Sequence, residues 1–192
     1  MSLVPTAWMP AASMERIITH WTAGSYTATS NAKSHYHILI DGEGKLHRGS
    51  HTIKDNESSS DGSYAAHTKG TNTKSIGITV CCMAGAKQTP FDAGSYPMKE
   101  SQWNIMAEVA AELCSFYNIP VSDTTVLGHG EVQAKLGNAQ NGKWDPMVLP
   151  WDTSKTISQV GDLFRARVSA HLAIANFLNA VRGIARAIGD AF

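Results

Sequence analysis

Cysteine is scarce in this chain: 192 residues hold only Cys81, Cys82 and Cys114. An odd number, with two of them adjacent, implies no disulfide framework, so buried free thiols in a reducing compartment are expected. An excess of either charge is also missing. Sixteen Lys and Arg balance sixteen Asp and Glu, which removes the basic field that would draw the chain to nucleic acid. No apolar run reaches the about 18 residues that a transmembrane helix requires, so no stable membrane insertion is expected. Residues 1–14 lack a basic start and an apolar stretch, and synthesis in the cytoplasm without a signal peptide is the expectation. What remains is ordinary globular material, 43% hydrophobic and 17% charged. A domain of this length buries roughly 70% of its unfolded surface and needs no covalent staples.

Against these absences stand eight histidines, which invite a search for a metal site. The local pattern says where they lie. Arg16-Ile17-Ile18-Thr19-His20-Trp21 reads as a strand opening on the loop Thr22-Ala23-Gly24, and 25–34 as a small helical or turn stretch. His35–Ile40 alternates like a second strand, and Asp41-Gly42-Glu43-Gly44 turns it into Lys45–Arg48. Residues 50–74 are polar and form a long surface loop, which in a small domain is usually functional.

The β-branched run Ser75–Cys82 predicts a central strand, and 99–118 a helix that ends before Pro120. Thr124–Gly128 predicts a short strand that delivers His129. From about 157 to 189, Phe164, Val168, Leu172, Ala175, Leu178, Val181, Ala185 and Ile188 recur at helical spacing. Gly183 is a point at which that helix would weaken or split. Strands mixed with helices and hairpins give a single α/β domain over 1–152, a central mixed β-sheet flanked by helices, followed by a C-terminal amphipathic helical tail over 153–192. The tail reads as a helix packed on the domain or a partner chain, as a cationic helix making membrane-surface contact, or as a wall-targeting element.

His20, His129 and Asp145 stand where strands end and loops begin. Two imidazoles and a carboxylate, with a fourth position left to water, suit hydrolytic zinc, because the metal lowers the pKa of a water toward about 7. Spacing alone does not isolate the set: there is no His-Glu-x-x-His helix, and unrelated polar residues at strand ends read equally well.

Five stretches in order sharpen the reading. Ile17-Ile18-Thr19-His20-Trp21-Thr22-Ala23-Gly24 resembles the first zinc-ligand motif of the type-2 N-acetylmuramoyl-L-alanine amidase and peptidoglycan-recognition-protein family. His35–Gly42 is similar to its tyrosine-bearing strand and hairpin, and Ala66–Ile78 to its loop and central strand. Leu127-Gly128-His129-Gly130-Glu131-Val132 resembles the second-ligand motif, and Lys143-Trp144-Asp145-Pro146 the third. The resemblance covers about 15–150 and is closest in flavour to phage endolysins.

It implies one zinc per chain on His20, His129 and Asp145, with Tyr36 and Lys143 assisting catalysis. It implies hydrolysis of the bond between muramic acid and the L-alanine of the stem peptide, in peptidoglycan or a muropeptide, with action on the cell wall after release or on soluble fragments in the cytoplasm. A wall-recycling amidase and a non-catalytic peptidoglycan-binding protein are the alternatives. His67 and Thr68 are candidate substrate contacts, with a loop-stabilising hydrogen bond as the other reading of His67. His37 is expected to be buried and structural. The chain departs from the family pattern at Thr79, where recycling members carry a glutamate, and at Met147, where glycine is common. Leu136–Gly142 looks like an insertion.

Overall fold

Ile17 and Ile18 on one strand, and Ile76, Ile78 and Val80 on another, are fully buried, as expected of parallel strands covered on both faces. In the computed structural model, which describes residues 2–189, these strands are the middle of a five-stranded sheet. The strands are β1 (Arg16–Trp21), β2 (Ile38–Ile40), β3 (Leu46–Arg48), β4 (Ser75–Val80) and β5 (Val126–Gly128), in the order β3-β2-β4-β1-β5. β1 runs parallel to β4 and β5, β2 parallel to β4, and only the β2–β3 hairpin is antiparallel. The register pairs His20 with Thr79.

Alternation along the strands sorts the two faces of the sheet. Ile17, Ile38, Ile40, Ile76, Ile78 and Val80 join one core with Trp103, Met106, Ala110 and Leu113 of α2 (Glu100–Tyr117). The opposite face carries His20, Gly77 and Thr79 instead. Gly77 is needed there, because a Cβ on it would run into the His67 ring. Gly77 and Thr79 on this face are what leave room for imidazoles.

Three helices complete the fold: α1 (Ser30–His35), α3 (His129–Leu136) and α4 (Ile157–Gly189). α1 is capped by Thr29, whose hydroxyl accepts from the Ala32 amide. That cap draws His35 into a helix rather than the strand expected at 35–40, so β2 begins only at Ile38. α3 was not expected from the sequence. α4 runs unbroken through Gly183. Its first turns bury Val160, Phe164, Arg165 and Val168 against the domain, while Ile174, Phe177, Leu178, Val181 and Ile184 are exposed. Among the described residues no helix is long and apolar enough to cross a membrane. Cys81, Cys82 and Cys114 are all free and buried.

The polar stretch 50–74 contains a short 3₁₀ turn, Ile53–Glu57, and is pinned by one side chain. Asn56 is fully buried: its Oδ1 accepts from the Ala65 amide and its Nδ2 donates to the carbonyls of Ala65 and Asn72. Loop closure here combines this buried amide with the burial of Ile53 in the core.

Candidate metal centre

His20 lies near the C-terminal end of β1, between β4 and β5, with its side chain wholly buried. His129 follows β5 directly and is the first residue of α3. Glu131 holds that junction, accepting from the Gly128 amide at 3.0 Å and from both terminal nitrogens of Arg165 on α4 at 3.0 and 3.1 Å. Asp145 comes from the segment after α3. Its carbonyl accepts from the Gly130 amide at 2.8 Å, and neighbouring Trp144 packs edge-on against Trp21 with ring centroids 4.6 Å apart.

These three residues meet. His20 Nδ1 is 3.1 Å from Asp145 Oδ2, and His129 Nδ1 is 3.3 Å from the same carboxylate. All three donor atoms lie within 4.8 Å of one another, and all three residues are buried. Burial pulls the His20 imidazole down to about 4, against the opposing pull of Asp145. Burial alone would raise the Asp145 carboxyl, but contacts from His129 and His20 outweigh it and hold it well below the usual carboxylate range. Both shifts point the same way: at neutral pH Asp145 is charged and His20 neutral. Two imidazole nitrogens and a carboxylate converging at such distances form a donor set that fits a metal ion of borderline softness.

The far sides of the imidazoles are also engaged. His129 Nε2 faces Gln140 Oε1 at 2.9 Å. His20 Nε2 faces His67 Nδ1 at 3.3 Å and Thr68 Oγ1 at 3.4 Å. His67 and Thr68 therefore sit behind His20 while also lining the cleft in front of it. His67 Nε2 donates to the Ser75 carbonyl at 3.3 Å, and Thr68 Oγ1 lies 2.9 Å from His67 Nδ1. Burial, with His20 and His37 nearby, keeps His67 well below its ordinary value and neutral. His37 is buried and away from the cluster: its Nδ1 accepts from the Gly77 amide and its Nε2 donates to Asn56 Oδ1, both at 2.9 Å.

A cleft of about 600 Å³ opens over the cluster, with Tyr36, Lys143 and Trp144 on its walls. The Tyr36 ring lies 5.0 Å from that of His20. Burial, then the Asp145 charge, pushes its hydroxyl far above the ordinary tyrosine range, so it keeps its proton. Lys143 is exposed, and its charge is near enough to count among those lowering His20. At the two departures from the family pattern, Thr79 is buried beside His20 in the β1–β4 register, and Met147 is fully buried under Gly128 and Gly130. Sequence reasoning missed Gln140, Glu131 and Arg165. Only Glu131 left a signal, standing in the capping position three residues after Gly128.

The family model described as N-acetylmuramoyl-L-alanine amidase matches residues 10–148. No curated protein matches the chain. Among solved structures, the chain is similar to the N-acetylmuramoyl-L-alanine amidase LysC from Clostridium intestinale URNW at 16% identity. That match has a TM-score of 0.50, over 82% of this chain and 87% of that one. It is similar to the Staphylococcus aureus hydrolase AmiA in complex with its ligand, also at 16% identity. There the TM-score is 0.52, over 81% and 73%. At such identity the likeness is one of fold.

Proposed function

Because the chain belongs to the N-acetylmuramoyl-L-alanine amidase family, we propose that it is a zinc-dependent peptidoglycan amidase. It hydrolyses the amide joining N-acetylmuramic acid to the L-alanine of the stem peptide, in an endolysin-like role on the cell wall. The observation that carries this reading is the buried convergence of His20 Nδ1, His129 Nδ1 and the Asp145 carboxylate at the floor of an open cleft. His20, His129 and Asp145 hold the metal. Zinc in that position supplies Lewis acidity and lowers the pKa of a water toward about 7.

In the reaction, water adds to the amide carbonyl, the carbon–nitrogen bond breaks, and the products are the lactyl carboxylate of muramic acid and the free amine of L-alanine. Negative charge gathers on the carbonyl oxygen as the tetrahedral intermediate forms. Lys143, on the cleft wall two residues before Asp145, brings a positive charge to that oxygen. Tyr36 acts as a donor, since its hydroxyl retains its proton: it orients the water or delivers a proton toward the departing nitrogen. The burial of His20 and Asp145 keeps bulk solvent from competing for the ligand atoms themselves.

The test is mass spectrometry of products from purified sacculi. Stem peptides with a free L-alanine amino terminus are expected, their release stopped by a chelator and restored by zinc. Cleavage inside the glycan or between amino acids, or release indifferent to chelation, would overturn the reading.

A further inference from the structure

Gln140 lies in the stretch 136–142 that reads in sequence as an insertion, yet it is 4% exposed and points at the metal cluster. Its side-chain amide makes three contacts, and they fix its orientation. Nε2 lies 2.9 Å from the Lys69 carbonyl and 3.1 Å from the Asn138 carbonyl. Carbonyl oxygens only accept, so the amide's NH₂ end must face them. Oε1 is thereby left facing His129 Nε2 at 2.9 Å. An amide oxygen also only accepts, so His129 carries its proton on Nε2. Its Nδ1 then bears the lone pair, on the side where Asp145 stands 3.3 Å away.

We infer that Gln140 is a positioning residue, locking His129 into the Nε2–H tautomer and the ring rotation that present Nδ1 to the metal; this rests on the zinc reading above. The stretch that holds it is a strut. The Gln140 amide donates to Gln133 Oε1 on α3 at 3.1 Å. Asn138 Nδ2 reaches across to the Gly70 carbonyl at 3.2 Å and to Thr71 Oγ1 at 2.8 Å. Loop 69–71 and α3 are thus tied together through residues 138–140, with His129 beneath them. His20 has a looser arrangement behind it, two contacts of 3.3 and 3.4 Å. Hydrogen-bond acceptors behind a ligating histidine fix its tautomer and raise its basicity, and their loss typically costs about 10–100-fold in metal affinity.

Two measurements on the full chain test this. The first is zinc affinity by competition with a chromophoric chelator, with His129→Ala as the control that should lose the site. Gln140→Met keeps the volume and removes the acceptor, and a weakening of about 10–100-fold is expected. Gln140→Glu keeps an oxygen for His129 and should lose less. The second is the imidazole ¹⁵N signature of metal-free protein. Wild type should show His129 protonated on Nε2 alone, Gln140→Glu should keep that form, and Gln140→Met should show a mixture of tautomers. An Nδ1-protonated His129 in the wild-type chain overturns the inference whether or not the variants fold. So does a Gln140→Met protein with unchanged affinity and tautomer. Wild-type chain that takes up no zinc overturns the metal reading itself, a result separable from the tautomer measurement.

Discussion

On one flank of the cleft, His20 stands on a strand hydrogen-bonded along both edges, by β4 and by β5. On the other flank, Asp145 and Lys143 belong to residues 137–152, which contain no helix or longer strand. Both flanks deliver buried or cleft-facing groups to the same point. The sheet flank does so by repetitive backbone pairing. The loop flank does so through single bonds, from the Gly130 amide to the Asp145 carbonyl and from Gln140 to the carbonyls of Lys69 and Asn138. Regular structure places a ligand cheaply, whereas an irregular segment needs a specific polar anchor for each group it presents. The first kind of order should fail globally when disturbed, and the second locally.

The largest effect is expected from the buried ion pair that ties α3 and α4 to the end of β5, the sheet's edge strand. Glu131 is 2% exposed and Arg165 8% exposed. Arg165→Met leaves Glu131 buried without its cation, and a loss of about 3–5 kcal/mol in unfolding free energy is expected, read from denaturant midpoints of the metal-free protein. A loss below about 1 kcal/mol would place Arg165 among surface pairs and erase the contrast.

Next come the cleft's two assistants. Lys143→Ala and Tyr36→Phe should each lower kcat by about 10²–10³ while zinc content stays full. Lys143→Ala should leave the melting temperature unchanged, since Lys143 is exposed. Near-wild-type turnover in both would assign the assistance elsewhere.

The smallest and most graded effect is that of pH on the metal-free chain. Burial pulls His37 and His20 down to about 4 from an ordinary 6.5. Between those values the unfolded chain binds protons that the native chain refuses. Stability is therefore complete above about pH 6.5 and drains away as pH falls toward 4. A urea midpoint that stays flat from pH 7 to 4 would mean that these imidazoles are not held neutral.

Much of the sheet flank was legible in sequence because its signals are periodic. Ile17-Ile18-Thr19 and Ile76-Gly77-Ile78-Thr79-Val80 announce strands, and Trp103, Met106, Ala110 and Leu113 announce the helix that covers them. α3 was not legible: its second residue is Gly130, and only Val132 and Leu136 are strongly apolar. The same stripe of apolar residues runs through all of α4, so spacing alone does not reveal that Phe164 is buried and Leu178 exposed. That division is made by what the rest of the chain places against it. His20, His129 and Asp145 came to notice by residue type and motif order, and the fold brings them together. Gln140 had neither periodicity nor chemistry to mark it. An amide is ordinary in a loop, and its contacts come from three separate parts of the chain.

Met147 fills the space that Gly128 and Gly130 leave open: a Cβ on Gly128 would run into its thioether end, and one on Gly130 would press on its Cγ and on the Trp144 backbone. The three positions therefore behave as one unit of substitution. Shortening Met147 alone leaves a void beneath the turn that carries His129, and enlarging Gly128 alone forces the Met147 thioether aside. A change that trades volume between both sides at once is Gly128→Ala with a smaller residue at 147, whereas a Cβ on Gly130 would still press on the Trp144 backbone. Met147 is a flexible side chain able to take up small misfits, which makes it the point where such an exchange can begin. Drift in this corner of the molecule is thus expected in paired steps, with the chemistry of His129 preserved only along the joint path.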